Sequence, residues 1–313
     1  MKLTVAAVQM ESRNDDWEGN RRRAEAHILE AVRAGARLVS LPEFALAGYV
    51  YDDTIWEAAE PLRGRTCQWL DGLCRQHGVY IATCILEKDG ADFFDTFILC
   101  GPNGEVWSHR KIEPAACEAF FFKGGGLSPN VFDTPIGRIG IAICFDTSKT
   151  HTIRSLIQNR PEILLLQYSC PALPAFFLKG DRDNWVEVYK NTAALYARRL
   201  AVPVVACNKT GRFSSTLPMS LGLQFTADFV DTSVIVDARG EAVALISGKS
   251  GVACAEVDLG HDHAPAAEPL PRGRWFLPLT LVSRVSTEYG RKCGMVRYAL
   301  SAKRKRAALG PKI

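Results

Sequence analysis

Short apolar runs rich in β-branched residues recur along the chain, with room for helices between them, and this alternation limits the possible folds more than any other feature. The runs are LTVAAVQ (3–9), RLVSL (37–41), VYIATCIL (79–86), FFDTFILC (93–100), RIGIAIC (138–144), EILLLQY (162–168), VPVVAC (202–207), TSVIVD (232–237), EAVALI (241–246) and GVACAEVD (251–258). Each has the length and composition of a strand on a half-buried or buried sheet. Between several of them the apolar spacing changes to three or four residues, as a helix requires. The clearest helix starts at Asp15 and Asp16, which can cap it. It sets Trp17, Ala24, Ile28 and Ala31 on one side and stops at Gly35. Others are predicted over Thr66 to His77, Thr150 to Asn159 and Asn184 to Leu200. GPNG at 101–104, DARG at 237–240 and SGKSG at 247–251 supply hairpin-type turns. Strands alternating with helices, then a succession of strands, predict a layered α/β sandwich with mixed sheets.

A chain of 313 residues with 47% hydrophobic content can bury one large core. No stretch of about 18 apolar residues is free of charge, so no membrane span is expected. The opening MKLTVAAVQM lacks a charged leader and a long apolar segment, so no secretion signal is expected either. Ten cysteines in such a chain point to a reducing compartment, the cytoplasm. None forms a CxxC pair, and the six histidines form no HxxxH, so neither a metal nor another cofactor is expected. The formal charge of +4 is unevenly placed. Eight Lys or Arg and no acid follow Glu288, so the body of the chain is slightly acidic and the basic character belongs to a tail. KRKR at 303–306 has no aromatic or glycine-rich RNA motif beside it, so a solvated end or a strap onto a partner subunit is favoured over a nucleic-acid or anionic-membrane contact. GKS at 248–250 is not a P-loop: Val243 stands where that motif needs glycine, and a strand follows instead of a helix.

Three segments carry chemistry. In LVSLPEF (38–44) a buried strand ends at Pro42 and delivers Glu43 past its carboxyl edge, where α/β folds place reactive side chains. In HRKIEPAACEAFFFKGGG (109–126) Lys111 follows a strand and Glu118 precedes an aromatic and glycine patch. Phe120, Phe121 and Phe122 cannot all face inward from one side of a regular element, so the patch is expected to wall a pocket. Phe120 and Phe121 are assigned to it together with Tyr49. In GRIGIAICFD (137–146) an apolar strand stops at Cys144 and turns through Phe145 and Asp146, a layout like that of a nucleophile elbow.

These segments, in this order, resemble the nitrilase superfamily of carbon-nitrogen hydrolases, in its amidase-like branch. The resemblance covers about residues 2–258 and extends to the VAAVQM opening strand, the Trp185 helix, ACNKTG at 206–211 and FVDTSVIVDARGE at 229–241. It implies a four-layer α-β-β-α sandwich with two mixed sheets over residues 1–260. Residues 261–313 would then be a C-terminal extension with a basic tail at a subunit interface, in a homodimer or higher homo-oligomer. Truncation after Glu288 is accordingly expected to weaken self-association more than it disturbs the core. The family's catalytic Glu, Lys and Cys fall on Glu43, Lys111 and Cys144, and its second glutamate falls on Glu118, with Glu113 the nearest competitor.

The implied reaction attacks a small-molecule amide. Glu43 takes the Cys144 proton, Lys111 and the Phe145 N–H face the oxyanion, an acyl thioester forms, and water clears it. Asp146 is expected to order the turn. A Cys-His mechanism with His109 or His151 as base leaves Glu43 and Lys111 without a role. Two departures from the family pattern stand out: Thr147, Ser148, Lys149, Thr150 and His151 replace a Phe-Pro-Glu continuation, and Tyr196, Ala197, Arg198 and Arg199 replace Arg-Ala-x-Glu. Phe145 and Asp146 differ from the Trp-Glu of nitrilases, and Thr147 and Ser148 stand where carbamoyl hydrolases carry paired arginines. A linear amide is therefore expected ahead of N-carbamoyl and nitrile substrates. Acyl transfer to an amine and a non-catalytic scaffold are the readings from other classes.

Overall fold

The computed structural model describes residues 1–172, 178–218, 223–259, 269 and 272–301. The chain runs β1 (Lys2–Gln9), α1 (Trp17–Arg33), β2 (Leu38–Ser40), α2 (Arg65–His77), β3 (Tyr80–Asp89), β4 (Asp92–Cys100), β5 (Val106–Arg110), β6 (Val131–Thr134) and β7 (Gly137–Ile143). It continues through α3 (Thr150–Asn159), β8 (Ile163–Gln167), α4 (Lys179–Leu200), β9 (Val204–Cys207), β10 (Arg212–Thr216), β11 (Gln224–Asp228), β12 (Thr232–Val236), β13 (Ala242–Ser247), β14 (Gly251–Asp258) and α5 (Leu281–Leu300). Two six-stranded mixed sheets result, ordered β14-β1-β2-β3-β4-β5 and β13-β12-β9-β8-β7-β6. In the first, β2 runs parallel to β1 and β3. In the second, β8 runs parallel to β7 and β9. The remaining pairings are antiparallel.

The two-residue period of a strand explains the layers. Val5 and Ala7 of β1 point into the core between the sheets with Ala82 and Phe97 of the first sheet and Ile141, Leu165 and Val205 of the second. Ala6 and Val8, one residue out of phase, point the other way, onto Ala24, Ile28 and Ala31 of α1 and Leu70 and Cys74 of α2. On the far side, α3 and α4 add Ile153, Leu156, Tyr196 and Leu200 to the cover of the second sheet. Each fully buried Ile or Leu contributes about 1.5–3 kcal/mol. The order is therefore helix, sheet, sheet, helix, the sandwich that the sequence implied.

The helix ends follow local chemistry. The Asp16 carboxylate accepts the Gly19 N–H at 2.9 Å and caps α1. The chain leaves α2 through Gly78, whose φ of 67° needs no Cβ-bearing residue to adopt it. The predicted helix over Thr150 to Asn159 matches α3, while α4 begins five residues before the predicted Asn184.

The C-terminal segment departs most from expectation. α5 packs back onto its own chain: Gly294 lies against Ala119 and Phe120, and the Tyr298 hydroxyl accepts the Phe93 N–H at 3.1 Å and donates to Asp92 at 3.1 Å. A cut after Glu288 would remove this half of α5 from the molecule's own packing, so that truncation does not spare the body of the fold. The sequence hid the helix because its buried face carries Ser283, Thr287 and Gly294, whereas its large apolar side chains face outward. Residues 303–306 of the basic tail lie outside the described residues.

Candidate active site

Four strand ends of the two sheets converge on one point. Glu43 follows β2, Lys111 follows β5, Cys144 follows β7 and Ser169 follows β8, all at carboxyl ends, where side chains and loops are free to face a ligand.

Cys144 opens a 3-10 turn, Cys144–Ser148, with a φ of 42°. That left-handed conformation costs a residue with a Cβ about 1–2 kcal/mol, and the surrounding hydrogen bonds hold it. The Thr147 hydroxyl donates to the Cys144 carbonyl at 2.6 Å, the Ser148 hydroxyl to the Phe145 carbonyl at 2.7 Å and the Tyr196 hydroxyl to the Thr147 carbonyl at 2.7 Å. Thr147, Ser148 and Tyr196, which depart from the family pattern, thus knit the elbow. Asp146 fixes it to the lysine loop, because its carboxylate accepts the Ile112 and Glu113 N–H groups at 2.8 and 2.9 Å. Lys149 continues the turn inward, its ammonium 3.5 Å from the centre of the Trp275 ring and 2.6 Å from Glu288. Burial works against the Glu288 carboxylate, but Lys149 and Arg291 outweigh it and hold its pKa down to about 2.

The Lys111 ammonium is fully buried among three carboxyl groups, 2.7 Å from Glu43, 2.8 Å from Glu118 and 3.2 Å from Asp95. Oxygens of these three acids lie within 4.8 Å of one another, close enough to hold a metal ion, and the lysine fills that centre. Glu43 also accepts the Ser169 N–H at 2.5 Å, which joins the two sheets across the site. Glu118 accepts the Ala115 N–H at 2.6 Å and the Tyr49 hydroxyl at 2.5 Å. Burial opposes the charge on Lys111, but Glu118, Glu43 and Asp95 outweigh it and raise its pKa well above the ordinary lysine value. One ammonium cannot neutralise three buried carboxylates. Burial and the neighbouring Glu43 charge, against the pull of Lys111, push Asp95 well above the carboxylate range. Burial pushes Glu43 up as well, but Lys111, Asp95 and the Ser169 N–H together bring it below its ordinary value. Burial raises Glu118. The opposite directions of these two shifts favour an ionised Glu43 beside a neutral Asp95.

A hydrogen bond with Cys170, then burial and the Glu43 charge, push the Cys144 thiol well above its ordinary value. The resting nucleophile is a thiol that must lose its proton to react. Cys144 lies at a cavity of about 230 Å³ walled by Tyr49, Tyr51, Phe145, Cys170, Trp185, Tyr189 and, from α5, Thr287 and Gly290 among others.

The structure therefore brings Glu43, Lys111, Glu118 and Cys144 together and puts Phe145 and Tyr49 at the cavity, but it does not bring Phe120 and Phe121 there. Those two rings line a separate cleft with Trp56 and Arg297. The 3-10 turn Ala116–Phe120 and the αR residue Phe121 splay the three phenylalanines, so all are buried in an aromatic cluster with Phe44 and Trp56. His109, held at 3.0 Å from the Pro129 carbonyl, and His151 do not line the cavity. Glu113 pairs with Arg274 at 2.7 Å and is not among the Lys111 partners. Asp95 was missed by sequence reasoning. Its signal was an ionisable residue inside the apolar run FFDTFILC, at a position that must be buried.

The chain is similar to several known proteins. A relative described as a nitrilase of Pyrococcus abyssi (strain GE5 / Orsay) is 34% identical over 181 residues, 55% of this chain and 69% of its own. An N-carbamoylputrescine amidase of Arabidopsis thaliana is 27% identical over 270 residues, 82% of this chain and 87% of its own. The crystal structure of a carbon-nitrogen hydrolase from Helicobacter pylori G27 superposes with a TM-score of 0.70 at 19% identity, over 82% of this chain and 89% of that one, and so shares the fold. The family model for carbon-nitrogen hydrolases matches residues 4–261, and the chain accordingly belongs to the carbon-nitrogen hydrolase family and is an enzyme of that class.

Proposed function

We propose that this enzyme is a thiol amidase that hydrolyses a linear, non-peptide amide through an acyl thioester on Cys144. The observation that carries this reading is the buried Glu43–Lys111 pair, 2.7 Å apart, at the elbow that presents Cys144 to a cavity. Glu43 takes the thiol proton as sulfur attacks the amide carbon. Lys111 and the Phe145 N–H stabilise the developing oxyanion, each such donor being worth about 3 kcal/mol in comparable sites. Glu43 then gives the proton to the leaving nitrogen, which departs as ammonia or amine. A water molecule enters, Glu43 takes its proton, and the thioester opens to acid and free thiol. Glu118 holds Lys111 in place and charged. The names of the relatives span nitrilase and N-carbamoylputrescine amidase, so they do not select the substrate. Phe145 and Asp146 after the nucleophile favour an amide over a nitrile.

Self-association belongs to the same proposal, with residues 261–313 contributing to the interface. It is supported by Leu281, Val285, Tyr289, Val296 and Leu300, which form a row along α5, each at least 59% exposed.

The test is ammonia release from a panel of primary amides, nitriles and N-carbamoyl compounds, with intact-protein mass spectrometry under acid quench. An acyl adduct on the wild type, and none on Cys144→Ala, which keeps less than a thousandth of wild-type turnover, is the expected result. A nitrile preferred tenfold or more over its matched amide overturns the amidase reading. Adding hydroxylamine distinguishes transfer from hydrolysis, since a transferase forms hydroxamate faster than acid.

A further inference from the structure

We infer that the acyl pocket takes an uncharged, apolar acyl group about the size of one ring plus a short linker, and discriminates against any substrate carrying a charge on that group. This rests on the amidase reading and goes beyond it by naming the substrate's chemistry.

The walls carry the argument. Among the described residues that line the cavity there is no Asp, Glu, Lys, Arg or His. Tyr51, Trp185, Tyr189, Leu217 and Phe225 supply most of the side-chain surface.

Most of the polar side-chain groups present are already engaged, the Tyr189 hydroxyl being a neutral exception. The Trp185 indole N–H donates to the Pro171 carbonyl at 3.1 Å, and the Ser169 hydroxyl to the Glu43 carbonyl at 2.5 Å. Ser286 and Thr287 donate to carbonyls of their own helix, those of Val282 at 2.8 Å and Ser283 at 2.7 Å. The Tyr49 hydroxyl is spent on Glu118. Of the charged groups at the site, Lys111, Glu43 and Glu118 are paired with one another, and Lys209, whose ammonium lies 5.8 Å from the centre of the Tyr49 ring, is not among the lining residues. A carboxylate or ammonium on the acyl group would therefore lose its water and gain no partner.

Size follows from volume. An apolar cavity of about 150 Å³ holds a benzene, and clefts for drug-sized ligands start near 300 Å³. The 230 Å³ here lies between them. Part of this wall is supplied by α5, which lies beyond the residues that match the family as a whole. The pocket chemistry is thus a property of this chain. Relatives whose names specify a cationic substrate, such as N-carbamoylputrescine, have to meet a charge that this cavity cannot.

Two isosteric pairs test the inference. Hexanamide and 5-aminopentanamide differ by a methyl for an ammonium. 5-Methylhexanamide and glutaramate differ by an isopropyl for a carboxylate. The neutral member of each pair should have a kcat/KM at least a hundredfold higher. Leu217→Arg should then narrow the deficit of glutaramate tenfold or more while leaving that of 5-aminopentanamide in place or enlarging it, a reversal that loss of folding does not produce. If all four amides are hydrolysed with similar efficiency, and Cys144→Ala removes the activity, the pocket inference is overturned and the thiol-amidase reading stands. If none is hydrolysed and none leaves an acyl adduct, while a nitrile of the same chain length is converted, the amidase reading fails and takes this inference with it.

Discussion

At the scale of single residues the unusual element is the third acid. Glu43 and Glu118 suffice to pair with Lys111, and an additional buried carboxylate would leave the cluster with uncompensated charge. As a neutral acid beside Glu43, Asp95 would instead be able to offer it a proton and orient the base. Asp95→Asn preserves shape and a donor, so it should keep turnover within about tenfold of wild type, whereas Asp95→Ala leaves Glu43 unsupported and should lower kcat by about a hundredfold. The pH–rate profile separates positioning from packing. With Asp95 already neutral, the acid limb of kcat/KM for Asp95→Asn should stay within about half a unit of wild type. A downward displacement of a unit or more would mean that Asp95 is charged in the resting enzyme and had been raising the pKa of its neighbour.

At the scale of elements, most of the sandwich was legible because its signals are local. A seven-residue strand, apolar apart from Arg138, that stops just before Cys144 and a capped helix starting after Asp16 can be read from neighbours in sequence. Glu43, Lys111 and Cys144 were legible as strand-end residues, and their resemblance to a family supplied the grouping. What could not be read needs tertiary contact. Asp95 is driven toward its neutral form by burial and by Glu43, which meets it only in the folded sheet, Phe120 and Phe121 face away from the cavity because of the backbone angles of one short turn, and α5 is seated through contacts with residues 116–120, about 170 or more positions earlier in the chain.

The glycines of α5 make that last dependence measurable. A Cβ on Gly294 would lie 2.7 Å from Ala119 backbone and the Phe120 ring, whereas one on Gly290 would meet Ala116 at an ordinary 3.5 Å. Replacing a mid-helix glycine by alanine gains about 1 kcal/mol, and overpacking costs about 1–3 kcal/mol. Gly290→Ala should therefore melt at a slightly higher temperature than wild type. Gly294→Ala should melt lower by a few degrees and lose activity, because α5 is pushed off the turn that carries Glu118. Equal melting temperatures for the two variants would show that this helix is not seated on that turn.

At the scale of the whole molecule the two faces of α5 set a further requirement. The inner face, with Ser283, Thr287, Gly294 and Tyr298, is buried against the chain's own body. The outer face repeats Leu281, Val285 and Tyr289 at four-residue intervals and resumes at Val296 and Leu300, so five large apolar side chains stand in one row facing away from it. Scattered exposed apolar residues are ordinary, but a contiguous row on one helix is a feature that association covers. A two-fold pairing of such rows would be self-complementary, since the same face serves both subunits. Val285→Glu combined with Tyr289→Glu places two like charges in the middle of the row and should reduce the mass in sedimentation equilibrium to a smaller species, with the far-UV spectrum unchanged. Removing residues 302–313 should leave the mass as it was if the row, and not the basic tail, makes the contact. A wild type that sediments as a monomer at tens of micromolar would overturn the interface altogether. A tail deletion that dissociates the assembly while the double variant does not would move the contact from the helix to the cations at 303–306.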